Sequence, residues 1–139
     1  MRQYLSYVIL NLLQGATIKQ IVDFLKELNI LSPTGKEDWC KKTVDDILCN
    51  EKYVGDVILM KTIHLGGPGS KRVKNRGEAE KYKVTASHQA IISREQFDAV
   101  QTERERRCNV ETKGTERMRK HIRYKTTFSL NDFITKLEE

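Results

Sequence analysis

The residues of this sequence that could do chemistry are cations, and the first group stands in WCKKTVDD, residues 39–46. Lys41, Lys42 and Thr43 open a helix-like run, and Lys36 precedes it. Lysine is a point charge for phosphate, a threonine hydroxyl can contact phosphate or a base, and a helix N-terminus attracts anions. The two aspartates that follow would repel phosphate. Two interpretations therefore stay open, a phosphate contact and a solvated helix end.

Two further groups of cations lie later in the chain. A glycine-rich stretch over residues 64–83 carries basic residues that could track a nucleic-acid backbone or enter a minor groove, or could simply be a solvated loop. The region after residue 103 supplies arginines and lysines that we interpret as non-specific anchors. The residues predicted to bind DNA are Lys36, Lys41, Lys42, Thr43, Lys71, Arg72, Lys74, Arg76, Arg104 and Arg107.

The positive charge is unevenly distributed along the chain. The 139 residues carry a formal net charge of +6. Residues 1–60 have a net charge of −1, residues 61–125 have +9, and residues 126–139 have −2. A nearly neutral first part joined to a strongly basic second part favours a polyanion as the partner.

No enzymatic pattern accompanies these cations. The stretch GGPGSKR lacks the glycine spacing of a phosphate-binding loop, and adjacent aspartates on a helix point apart. The three cysteines form no CxxC pair, and the three histidines have no ligand spacing. We therefore expect no catalytic site, no metal and no cofactor in this chain. No apolar run approaches the roughly 18 residues of a membrane span, and we expect a protein of the reducing cytoplasm.

Periodicity predicts the elements that must position the cations. Apolar spacing indicates helices over the segments near 4–13, 18–29, 41–48 and 93–107, and a further amphipathic stripe at 130–137. Gly15 suits a left-handed cap, and Thr17 with Gln20 has capping-box spacing. A strand is expected from Tyr53, with Gly55 marking a bulge or a close backbone approach, and YKVT at 82–85 is the candidate return strand.

These elements predict an α+β fold. It is helix-dominated, with a helix-turn-helix-like core, a small β-hairpin with a long flexible loop, and a basic, mobile C-terminal arm over residues 108–126. In a helix-turn-helix the second helix presents its N-terminal residues to the major groove, which would place Lys41, Lys42 and Thr43 at the groove edge.

The ordered motifs of the chain resemble the recombinase domain of large serine recombinases, which include phage integrases and transposon recombinases. The resemblance rests on GATIKQIVDFLKELNILSPTGKEDWCKKTVDDILCNEKYVGDV and on SHQAIISREQFDAVQ, and it covers about residues 4–107. Cys40 stands where the family often has serine, so a weaker helix cap is expected. The apolar motif residues Trp39, Ile47, Leu48 and Tyr53 are interpreted as core.

The resemblance implies an organisation and a function. Residues 1–107 would be the DNA-binding domain, 108–126 a basic arm or linker, and 127–139 a short helix or tail. The family's catalytic domain and zinc ribbon are not found in this sequence. The chain would then be a non-catalytic, monomeric piece of a bacterial recombinase, with double-stranded DNA and those two domains as partners and no membrane.

Two other functions remain open at this point. A free-standing helix-turn-helix regulator would need a dimerisation surface, for which the 130–137 stripe is the candidate. A protein-interaction domain would use its basic loop against acidic partners. Size-exclusion chromatography with light scattering addresses the first, and DNA titration at rising salt addresses the second.

Overall fold

A computed structural model describes residues 3–113 and 116–129 of the chain. Their helices are α1 Gln3–Leu13, α2 Ile18–Glu27, α3 Lys41–Leu48 and α4 Arg94–Arg107, with a 3₁₀ helix at Glu51–Val54. Their strands are β1 Val57–Leu59, β2 Thr62–His64, β3 Arg72–Lys74, β4 Tyr82–Val84, β5 Val110–Lys113 and β6 Glu116–Arg119. The strands form three separate antiparallel pairs. This confirms the α+β, helix-dominated fold.

The chain folds as two compact units. Of the described residues, the first unit contains those up to Cys49 and those from Glu95 onward, and the second contains Asn50–Arg94. Helices α1, α2 and α3 pack against one another in the first unit. The core is formed by Leu5, Val8, Ile9, Leu12, Ile21, Phe24, Leu25, Val44, Ile47 and Leu48, with Val100 from α4. Most of these residues lie on the predicted apolar faces, but Phe24 lies outside the face predicted for α2. Leu13 and Leu28 lie on the predicted faces of α1 and α2 but are exposed.

The start of α2 follows its sequence signal. Thr17 accepts a hydrogen bond from the backbone N–H of Gln20 at 3.3 Å, and the Gln20 side chain accepts one from the backbone N–H of Thr17 at 2.9 Å. This capping box satisfies two backbone donors that a helix start leaves without partners. The helix ends at Glu27, two residues before the predicted end at Asn29. Asn29 itself has a positive φ of 52°, which a helix cannot continue through.

Trp39 fixes the chain just before α3. It is buried, its Nε1–H donates to the Ile30 carbonyl at 2.7 Å, and its ring packs edge-on against Tyr4 at 5.5 Å between centroids. Trp39, Ile47 and Leu48 are therefore core residues, as predicted, and Tyr53 is half-buried in the other unit.

The strand predicted from Tyr53 begins later than expected. Residues 51–54 form a 3₁₀ helix, which Gly55 ends in a left-handed conformation with φ of 87°. A Cβ at Gly55 would lie 2.4 Å from the His88 carbonyl oxygen, so the prediction of a close backbone approach is confirmed. The strand proper is β1, whose Val57 lies opposite Val84 of β4, and the YKVT return strand is confirmed.

Two segments that the sequence left without regular structure contain strands. At the start of the predicted flexible loop β2 ends, and it pairs with β3 inside that loop. Within the predicted arm, β5 pairs with β6. Both pairs use strands of three or four residues, which are too short to produce a recognisable period-2 pattern. The amphipathic stripe at 130–137 lies outside the described residues.

Candidate nucleic-acid interface

The N-terminus of α3 is open and cationic. Lys41 and Lys42 are its first two residues and both are exposed. Cys40, at the N-cap, makes no side-chain hydrogen bond to the helix, in agreement with the weaker cap expected for cysteine. The first backbone N–H groups of a helix have no acceptor within it, so a phosphate approaching here finds donors as well as charge.

Both aspartates of α3 are neutralised within the protein. Arg104 of α4 donates from Nη2 to Oδ1 of Asp45 at 2.7 Å, and Lys42 pairs with Asp46 one turn away. The hydrogen bond to Asp46 raises the pKa of Lys42. The acids that weakened the argument from sequence are therefore balanced, and Lys41 has no ion pair in the part of the chain that the structure describes.

Helix α4 also anchors the other end of α3. The side-chain amide of Gln101 donates to the Leu48 carbonyl at 2.8 Å, and Arg104 donates to the Gln101 side-chain oxygen at 3.1 Å. The backbone carbonyls at a helix C-terminus lack intrahelical donors, so this bond satisfies one of them. Residues of α4 thus fix both an acid and the end of α3.

Lys36 and Thr43 lie on either side of this helix start. Lys36 is exposed in the connector, where its backbone N–H donates to Ser32 Oγ at 3.1 Å and its carbonyl accepts from the Ser32 N–H at 2.9 Å. Thr43 is half-buried. The connector is therefore ordered by its own hydrogen bonds, which fix the backbone that carries Lys36.

The second group of predicted cations lies on the β2–β3 ribbon. Thr62 lies opposite Lys74, and His64 opposite Arg72. Because side chains alternate between the faces of a strand, these four residues share one face, while Ile63 and Val73 share the other and are half-buried. The ribbon therefore has one cationic, exposed face. Lys71 is exposed beside it.

Asn75 is a buried polar residue that the sequence reasoning missed. Its Nδ2 donates to the carbonyls of Met60 and Ala79, and its Oδ1 accepts from the N–H groups of Gly77 and Ala79. These bonds hold the turn that follows Lys74. The signal was present, since Asn followed by Gly two residues later is typical of a side-chain-stabilised turn. In the same turn, the Arg76 N–H donates to Glu78.

Arg107 has a different setting from the other predicted contacts. Its guanidinium donates to the carbonyls of Leu12 and Ala16, at 2.6 Å each, and its Nε donates to Glu103. Its side chain is only 12% exposed. The hydrogen bonds from Arg106 and Arg107 lower the pKa of Glu103 to about 2. Arg107 thus caps the end of α1, and its role in DNA binding stays a prediction.

The second unit is held by a buried carboxylate. Asp56 is 3% exposed and receives two hydrogen bonds from Arg94, at 2.8 and 3.1 Å, with Lys83 at 3.2 Å. The Arg94 guanidinium, more than any other group, holds the Asp56 pKa well below its usual value. This cluster links the residue just before β1 to Lys83 of β4 and to Arg94. No local sequence pattern indicates that these residues meet.

Within residues 3–113 and 116–129, no three His, Cys, Asp or Glu side chains come together as metal ligands would. No helix of the same residues is long and apolar enough to cross a membrane. The fold and its surface define the class of protein: a small α+β module that presents cations on an open helix start and on a short β-ribbon.

Comparison with known families gives the particular family. The family model described as Recombinase matches residues 3–107. The chain therefore belongs to this family, the recombinase domain of large serine recombinases, and has a role in site-specific recombination. No solved structure matches the chain significantly. The family match ends at Arg107, the last residue of α4, so the β5–β6 pair and the segment after it lie beyond the match.

Proposed function

We propose that this protein binds double-stranded DNA sequence-specifically at the half-sites of a recombination site, as part of a serine site-specific recombinase that acts in the bacterial cytoplasm. The domain itself cuts no DNA. The serine nucleophile belongs to the catalytic domain of the recombinase, and this domain holds the site in register. Membership of the Recombinase family supports the role within a recombinase, and the cationic surfaces support DNA as the ligand.

The observation that carries the proposal is the balance of charge at α3. Lys41 is exposed at an uncapped helix start, and Arg104 and Lys42 offset the two acids behind it. A phosphate at this helix start gains from the lysine charge and from the open backbone N–H groups. Without the two ion pairs, the aspartates would oppose the same phosphate.

The β2–β3 ribbon offers a second contact. Arg72 and Lys74 lie two residues apart on one exposed face, and a two-stranded ribbon can enter a DNA groove. Arginine also favours a narrow minor groove, where the negative potential is strongest. Each of these two surfaces lies in a different unit of the fold, and each can be tested separately.

Selection of binding sites from a pool of random duplexes tests the proposal. We expect enrichment of a defined half-site sequence, bound more tightly than random DNA at physiological salt. Failure to enrich any sequence, with equal affinity for all duplexes, would contradict sequence-specific binding. No affinity for DNA even at low salt would favour a protein-interaction domain.

Light scattering of the free protein separates this proposal from a stand-alone regulator. We expect a monomer, because the other domains of a recombinase would bring the subunits together. A stable dimer that selects a palindrome would instead favour the regulator.

A further inference from the structure

Five cations surround one pocket in the first unit, at the end of α4. The pocket has a volume of about 250 Å³. Its cationic lining consists of Arg106, Arg107, Lys120, Arg123 and Lys125. Tyr124 and Cys108 also line it, and none of its lining residues is a carboxylate. A water molecule occupies about 30 Å³ in the liquid, so a group the size of phosphate fits inside.

A docked segment of chain, residues 122–129, brings Arg123 and Lys125 to the pocket. The Tyr124 hydroxyl and Thr126 Oγ1 both donate to the Gly15 carbonyl, at 3.0 and 2.5 Å, and Gln20 donates to the Phe128 carbonyl at 3.0 Å. Residues 124, 126 and 128 are half-buried, whereas residues 123, 125 and 127 are exposed. This alternation leaves Arg123 and Lys125 exposed at the pocket, while Tyr124 and Thr126 hold the segment.

The two arginines of α4 are held in place by aromatic and acidic partners. The guanidinium carbons of Arg106 and Arg107 lie 5.3 and 4.5 Å from the centre of the Tyr124 ring. One carboxylate, Glu103, pairs with both guanidiniums. The remaining lining cations have no ion pair among the described residues, so the pocket keeps a net positive charge.

The dipole of α4 explains only part of this arrangement. Cations at a helix C-terminus are favourable, which accounts for Arg106 and Arg107. It does not account for Lys120, which follows β6, or for Arg123 and Lys125 of the docked segment. These three cations add repulsion between like charges. An anion with several oxygen acceptors would reduce that repulsion. The guanidinium fork of Arg123, which has no ion pair among the described residues, suits phosphate.

We propose that this pocket is a phosphate-binding site, formed by the docking of residues 122–129 and additional to the surface at α3. The inference extends the proposed function to residues beyond the family match. The phosphate is either one of a DNA backbone or a free anion, and the two sources are distinguished by experiment.

The three cysteines provide a footprint of both sites in the unaltered chain. All three cysteines are exposed residues. Cys40 lies at the start of α3, Cys108 lines the pocket, and Cys49 follows the end of α3. The protein is alkylated with iodoacetamide, and peptide mass spectrometry measures the rate of alkylation of each cysteine. The rate for each cysteine is compared with and without a short random duplex, and with and without inorganic phosphate.

We expect ligand to slow the alkylation of Cys108 severalfold. Slowing by inorganic phosphate alone identifies a site for the free anion, and slowing by the duplex alone identifies the DNA backbone as the source. In the Arg123→Ala/Lys125→Ala variant the protection of Cys108 should be lost. The Arg117→Ala/Arg119→Ala variant removes the same charge from the β5–β6 pair, and there the protection should remain.

The outcomes separate this inference from the proposed function. Protection of Cys40 by DNA, with Cys108 unprotected by either probe, overturns the pocket and leaves the α3 surface intact. Protection of Cys108 that survives Arg123→Ala/Lys125→Ala also overturns the pocket. If DNA leaves Cys40 unprotected, the proposed contact at α3 fails, while the phosphate measurement still decides the pocket.

Discussion

Arg104 of α4 holds Asp45 of α3 through a hydrogen bond of 2.7 Å between Nη2 and Oδ1. The two side chains are about one-third exposed, at 28% and 37%. The sequence predicted Arg104 as a direct contact to DNA. Its geometry favours another role, in which Arg104 removes the charge of an acid beside the proposed phosphate site.

This role predicts the effect of removing Arg104. In Arg104→Ala, the charge of Asp45 is no longer balanced, and we expect severalfold weaker binding of duplex DNA at moderate salt. The stability should fall by only about 0.5–1 kcal/mol, because the pair is partly exposed. Fluorescence anisotropy with a labelled duplex measures the first effect, and urea unfolding the second.

The double variant Arg104→Ala/Asp45→Asn separates the two roles of Arg104. It removes both charges, so affinity should recover if Arg104 acts through Asp45. Continued weak binding in the double variant would mean that Arg104 contacts the DNA itself.

Arg107 should contribute more to the free energy of unfolding than an exposed arginine at a helix end would. Arg107→Ala removes the donors to the Leu12 and Ala16 carbonyls. We expect a loss of about 2–3 kcal/mol, since hydrogen bonds from a charged group are strong and the carbonyls lose their partners. Urea unfolding measures this loss. Arg106→Ala is the matched control, because the Arg106 side chain is 61% exposed and should cost less than about 1 kcal/mol. Equal losses in the two variants would refute the capping role.

Trp39 should act through the core and not through DNA. Trp39→Ala removes a buried ring and should cost about 3–5 kcal/mol of unfolding free energy. Trp39→Phe keeps most of the ring but loses the hydrogen bond to the Ile30 carbonyl, so it should cost about 1–2 kcal/mol. Circular dichroism follows unfolding in both variants, which lack the chain's one tryptophan. Wild-type stability in Trp39→Ala would show that the ring does not support the fold.

The second unit should lose stability in acid. The pKa of Asp56 lies below its usual 3.8 in the folded state, mainly because of Arg94. A lowered folded pKa gives stability that is full above the unfolded pKa and is lost as the pH falls through the folded value. We therefore expect the Asp56 contribution to begin falling below about pH 4 and to be lost completely only when the pH reaches the lower, folded value. Urea unfolding at a series of pH values should show a flatter profile in Asp56→Asn than in wild type, and identical profiles would contradict this.

The sequence predicted those parts of the fold that depend on local pattern. The capping box at Thr17, the left-handed Gly15 and the buried ring of Trp39 each follow from neighbouring residues. The 3₁₀ helix before Gly55 was missed, because a β-rich composition there suggested a strand and the turn depends on a contact with the distant His88.

The residue types of the candidate site could be predicted from the sequence, but the ion pairs and hydrogen bonds that its residues form could not. The lysines at the start of α3 are visible as a motif, whereas the partner of Asp45 lies 59 residues away in the chain. The same holds for Arg107, whose acceptors are 91 and 95 residues distant. The periodicity of a single sequence carries no information on contacts between distant residues. An arginine that binds groups within the protein therefore cannot be distinguished, from sequence, from an arginine that is available to DNA.

The salt dependence of DNA binding tests the central claim most directly. The logarithm of the association constant for a random duplex should fall linearly with the logarithm of salt concentration. Lys41→Ala should reduce the slope by about 1, and Lys41→Ala/Lys42→Ala by about 1–2. Lys52→Ala, which removes an exposed lysine of the second unit, should leave the slope unchanged. An unaltered slope in Lys41→Ala, with wild-type affinity, would contradict a phosphate contact at the start of α3.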